Sequence, residues 1–105
     1  MNKPISGFEW DDGNREKCCR HGLSIAEIEY VLGNQQTLIV PDPKHSVAEP
    51  RFLAVGQTDR GRYAFVVFTP RERNDATFVR PISARFMHKK EIETYEEKIS
   101  GAQKR

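Results

Sequence analysis

The chain has 105 residues, 37% of them hydrophobic and 30% charged, with a formal net charge of +2. That length holds one domain with a limited core, expected to be ordered over about residues 5–99 of 1–105. No apolar run approaches the roughly 20 residues needed to span a bilayer. Met1-Asn2-Lys3-Pro4 has no apolar signal core behind it, so a cytoplasmic protein is expected.

Ile5 to Trp10 reads as a first strand by its period-two alternation. Asp11 and Asp12 can cap a helix running to about His21, and Gly22 supplies its left-handed stop. Ser24-Ile25-Ala26-Glu27 has the capping-box pattern and opens a second helix to about Leu32, with Ile25, Ile28, Val31 and Leu32 on one stripe. Thr37 to Val40 is a short strand stopped by prolines, and 44–50 reads as loop. Arg51 to Thr58 and Arg62 to Thr69 form a hairpin around Asp59-Arg60-Gly61. Tyr63 to Phe68 is apolar on both faces and should be a central strand. Arg71 to Asp75 reads as a polar turn, Ala76 to Arg85 as the last strand, His88 to Ile99 as a final helix, and Ser100 to Arg105 as frayed. The order β-α-α-β-β-β-β-α predicts an α+β domain, a compact antiparallel sheet with N-terminal helices and a C-terminal helix.

The net charge hides an asymmetry. Residues 1–50 carry five Lys/Arg against eight Asp/Glu, whereas residues 51–90 carry nine against three. Such a basic segment attracts a polyanion, because phosphate contacts release condensed counterions, and arginine suits bidentate phosphate contact. If that polyanion is RNA, cleaving it without a metal needs a base for the 2′-hydroxyl proton, cations for the charge growing on phosphate, and an acid for the leaving oxygen. His21 is the best proton-transfer candidate, since imidazole titrates near neutrality. Lys17 lies one turn earlier on the same helix, and Glu49 is a further acid–base candidate. Arg80 and Arg85 are the candidate charge stabilisers; Arg51, Arg62 and Lys89 are candidate RNA contacts. The first hairpin's register is expected to set Arg51 opposite Thr69, and the next to bring Arg62 near Ser83 and Arg85. Five residues apart, Arg80 and Arg85 would point to opposite faces of a regular strand, but a bulge at Pro81 would bring both to one face. Cys18 and Cys19 are adjacent and cannot bridge each other, and no zinc-site spacing exists, so no metal or cofactor is expected.

Three groups of residues resemble the BrnT family over roughly residues 7 to 98. They are Phe8-Glu9-Trp10-Asp11 with Lys17 and Arg20-His21-Gly22-Leu23-Ser24; Asp42-Pro43-Lys44-His45-Ser46 with Glu49-Pro50-Arg51-Phe52; and Gly61-Arg62, Phe68-Thr69, Ile82-Ser83-Ala84-Arg85, Glu91 and Tyr95. Arg20 stands where the family often has Lys, and Pro81 where a β-branched residue is usual. The resemblance implies a RelE-like fold and an endoribonuclease toxin acting on RNA, in particular messenger RNA. It implies silencing by a cognate BrnA-type antitoxin, with operator DNA bound only through the antitoxin complex. A non-catalytic RNA-binding or protein-interaction module using the same basic sheet is the alternative reading.

Overall fold

The computed structural model describes residues 5–45 and 48–103, with side chains for all of these except 45 and 99–103. The readings of Met1–Pro4, Ser46, Lys104 and Arg105, and of the Ile99 side chain, lie outside the described residues. The elements are β1 (Ile5–Phe8), α1 (Asp12–Cys19), α2 (Ile25–Gly33), β2 (Leu38–Pro41), a 3-10 turn at Pro43–His45, β3 (Phe52–Gln57), β4 (Tyr63–Arg73), β5 (Ala76–Phe86) and α3 (Lys89–Gln103). This is the α+β order expected from the sequence.

Both N-terminal helices start as their polar residues dictate. The Asp11 carboxylate accepts from the Asn14 backbone N–H, and the Asn14 side chain accepts from that of Asp11. Ser24 and Glu27 make the same reciprocal pair at α2. Gly22, at φ 102°, turns the chain between them in the left-handed region where a side chain would be strained.

The five strands form one sheet in the order β1-β5-β4-β3-β2, with β4 in the centre as its two apolar faces predict. The sheet is mixed: β2 to β5 are antiparallel, but β1 joins β5 in parallel. The two helices after β1 carry the chain to the far edge of the sheet, so β1 runs in the direction of the last strand. The expected polar turn at Arg71–Asp75 is tighter than its composition implied. Asn74 and Asp75 alone make it, at φ 51° and 66°, the two-residue hairpin geometry that matches strand twist, so Arg71–Arg73 remain in β4. The last helix likewise continues to Gln103 where fraying was expected from Ser100.

One sheet face packs under α1 and α2. Cys18, Leu23, Ile28, Val31 and Leu32 meet Ala54, Ala64, Val66, Phe68, Val79 and Ala84 in a single buried cluster. Phe52 and Phe68 stack within it at 5.6 Å between ring centres. Burial pushes the Cys18 thiol up to about 11, as befits a core residue with no solvent access. Gly56 faces Thr37, whose hydroxyl is fixed by donating to Val31 O at 2.6 Å, so a Cβ at this position would collide with a side chain that cannot swing away. Gly56→Ala is therefore expected to destabilise by about 1–3 kcal/mol, read as a lower urea midpoint at unchanged slope.

The β4–β5 register holds the feature that shapes the other face. Val67 pairs with Ser83 but Phe68 pairs with Pro81, so Ile82 is an extra residue in β5. Proline cannot donate to the ladder, and the bulge sits beside it. Arg85 lies across from Phe65 and Arg80 across from Thr69, two positions of β4 on one face. The bulge thus puts both guanidinium groups on the face away from α2.

Candidate functional site

Where β1 ends, α1 takes over the free edge of β5. Val79 O accepts from the Glu9 backbone N–H at 2.9 Å, and two residues on Pro81 O accepts from Asn14 Nδ2 at 2.8 Å. Asn14 Nδ2 also donates to Glu9 O at 2.9 Å. A single buried amide therefore joins the helix cap, the end of β1 and the bulged strand. Asn14 escaped the sequence reading, although its place three residues after the capping Asp11 was a readable signal.

This docking makes α1 one wall of a groove whose opposite wall is β3. Two hollows follow one another along it. The first, of about 260 Å³, is lined by Gly13, Asn14, Lys17, Glu49, Arg51, Arg80, Pro81 and Ile82. The second, of about 300 Å³, is lined by His21, Leu53, Phe65, Val67, Ser83, Ala84, Arg85 and Glu91. From the first to the second, the lining advances from Lys17 of α1 to His21 in the turn after it, from Arg51 just before β3 to Leu53 within it, and along β5 from Arg80 to Arg85. The hairpin register carries Arg51 across from Thr69, as expected, because Phe52 pairs with Phe68.

Carboxylates from outside the basic segment fold in to meet its arginines. Arg80 reaches Glu9 at 3.2 Å and Asp11 at 2.8 Å, and Arg73 also contacts Glu9. Arg71 pairs with Glu49 at 3.1 Å. Arg85 grips Glu91 with two parallel bonds of 2.9 and 2.8 Å. The Asn14 backbone N–H, and after it the Arg80 guanidinium, hold the Asp11 carboxyl below its ordinary range. Burial lowers the Arg80 pKa, but bonding to Asp11 and Glu9 outweighs it, so Arg80 is held charged. Among the described residues Lys17 has no carboxylate partner, and its ammonium stands at the first hollow exposed to solvent.

Bonds from Arg85, then from the His88 backbone N–H, bring the Glu91 carboxyl down to about 2. A lowered carboxyl contributes stability that is fully present above its ordinary range and lost as pH falls towards that value. Wild type should therefore lose more stability than Glu91→Gln between about pH 5 and pH 2, measured by urea unfolding across that window.

Two expected members are not in the groove. Arg62 follows the parity of Ala64 and Val66, and its guanidinium stacks 3.5 Å from the centre of the Phe86 ring on the opposite face from Arg85. The expectation that it lies near Ser83 and Arg85 is thus corrected: Phe86, not Arg85, is its neighbour. Lys89 is exposed in the first turn of α3 and lines neither hollow. Cys18 and His21, one turn apart in sequence, also diverge, since Cys18 is buried in the core and His21 exposed at the rim. No helix among the described residues is long and apolar enough to cross a membrane.

A groove with one cationic hollow, one apolar-floored hollow and an imidazole between solvent and strand is suited to an extended polyanion with flat rings. Comparison with protein families finds a match to the ribonuclease toxin, BrnT, of type II toxin–antitoxin systems over residues 10–91, a span that contains every residue lining the two hollows. No curated protein matches the chain.

Proposed function

The chain belongs to the BrnT family of ribonuclease toxins of type II toxin–antitoxin systems, and from that premise we propose that the α1–β3 groove binds single-stranded RNA and cleaves it without a metal ion. The bulge at Ile82 carries this reading: it turns Arg80 and Arg85 to one face, beside Lys17 of the flanking helix and His21 of the turn that follows it. The scissile phosphate lies over the bulge, between the two hollows. Lys17, Arg51 and Arg80 neutralise it; the bonds from Arg80 to Glu9 and Asp11 use two of a guanidinium's five N–H donors and leave others for phosphate.

His21 accepts the 2′-hydroxyl proton as the 2′-oxygen attacks phosphorus. The bond from phosphorus to the 5′-oxygen breaks, and Lys17 supplies the proton that the leaving oxygen takes. The products are a 2′,3′-cyclic phosphate and a 5′-hydroxyl end. Glu49, tied to Arg71, orients the loop carrying Arg51 and serves as the reserve base. Messenger RNA is the natural substrate, so the enzyme acts in the cytoplasm. A cognate BrnA-type antitoxin neutralises it by laying acidic and apolar side chains over the groove, and operator DNA is reached through that complex alone.

The test is cleavage of a short RNA by the purified protein in excess chelator. Cleavage should persist, leave a cyclic phosphate end, and fall by about a hundredfold or more in His21→Ala. Cleavage abolished by the chelator, or undiminished in a folded His21→Ala variant, would contradict the mechanism.

A further inference from the structure

The second hollow is built unlike the first. Leu53 and Val67 give it an apolar floor beside the Phe65 ring, and polar atoms come from Ser83, across the strand from Val67, and from His21 and Glu91. Its cation is already answered. Arg85 spends two bonds on Glu91 and a third, of 3.2 Å, on Phe86 O, and its guanidinium lies 4.7 Å from the centre of the Phe65 ring. With three of its five N–H donors engaged, Arg85 has fewer left for a phosphate than Arg80, and those bonds and the Phe65 ring hold the guanidinium in place. Fixed planar groups above an apolar floor are what unpaired bases stack upon, since every base has a π-face.

Resting on the reading of the adjoining hollow as the phosphate site, we propose that this hollow of about 300 Å³ receives one unpaired nucleobase of the RNA, next to the cut, and sets sequence preference there. Arg85 and Phe65 form the stacking wall, Leu53 and Val67 the floor, and Ser83 offers a hydroxyl to the base edge. Glu91 is a positioning residue that acts through Arg85. Charge stabilisation at the phosphate then belongs to Arg80, Arg51 and Lys17, and Arg85 serves the base.

The experiment uses a set of RNA oligonucleotides of one sequence, each with a single abasic position, cut by the intact protein. One position, fixed relative to the cut, should lower kcat/KM by about tenfold or more, with little effect elsewhere. In Phe65→Ala that penalty should largely vanish, because the wall it depends on is gone. Glu91→Gln, at the rim, should shrink the penalty at the same position, which provides a second variant if the first does not fold. Equal cleavage by wild type whichever position is abasic would overturn the proposal, as would a full penalty retained in a folded Phe65→Ala. Failure of the underlying ribonuclease reading looks different: no oligonucleotide of the set would be cut at all, and the base site would fall with it.

Discussion

Arg80→Ala is expected to slow RNA cleavage by about a hundredfold or more, the usual effect of removing one donor aimed at charge that grows in the transition state. The side chain is only 21% exposed and is steered into the first hollow by Glu9 and Asp11, so its position is set before substrate arrives. Its removal should leave the fold largely intact. Glu9 keeps Arg73, and Asp11 keeps its bond from the Asn14 backbone N–H. Arg80→Lys should fall between wild type and alanine, since the charge stays but the planar fork is lost. Arg15→Ala, on an exposed face of α1 outside both hollows, should cleave at the wild-type rate. A steady-state assay on one RNA, with circular dichroism to confirm folding, checks all three.

The largest loss of stability among polar substitutions is expected at Asn14. Its side chain accepts from the Asp11 backbone N–H and donates to Glu9 O and Pro81 O, all from a position only 5% exposed. Asn14→Ala removes half of the capping pair and leaves two carbonyls short of a donor, at a combined cost of about 2–4 kcal/mol. For a domain of this size the melting temperature should fall by more than about 10 °C. Asn14→Asp separates the two roles. A carboxylate suits the first turn of a helix, so a capping role alone would tolerate it. Against two carbonyl oxygens it is repelled, and the variant should be no more stable than Asn14→Ala. Because Asn14 also fixes α1 on β5, and with it Lys17 and His21, both variants should lose cleavage under conditions where they remain folded.

Much of this was legible in the chain because the signals are local. Asp11 and Ser24 announce helix starts, Gly22 a left-handed turn, and Gly61 a hairpin, and each depends on residues within four places of itself. The bulge was readable too, since a proline between two arginines in a strand leaves few other geometries. What escaped depends on residues far apart. Glu9 and Asp11 lie some seventy positions before Arg80 in sequence, so a charge balance taken over residues 51–90 describes a surface far more basic than the folded one. Arg62 was misplaced for a simpler reason. A turn spanning 71–75 would set Arg62 across from Ala84. The two-residue turn at Asn74–Asp75 and the bulge at Ile82 instead put Phe86 across from Ala64 and so carry Arg62 past Arg85, and residues 62, 64 and 66 all turn towards the helices. The parallel partnership of β1 and β5 could not be read from consecutive hairpins, because β1 meets its neighbour only after the chain has made every other strand.

RNA is expected to lie along the α1–β3 groove, with phosphate over the β5 bulge, and this placement is directly measurable. Its most direct test is a titration of the isotopically labelled protein with a short RNA whose 2′-hydroxyls are methylated, so that it binds but cannot be cut, followed by amide chemical shifts. Shifts should concentrate in residues 13–22 of α1 and its turn, 51–53 at the entry to β3 and 80–86 of β5, and weaken steeply with salt as phosphate contacts require. Shifts centred instead on Ser24, Tyr30 and Asp59, which line a hollow on the α2 side, with the groove unmoved at saturation, would contradict it.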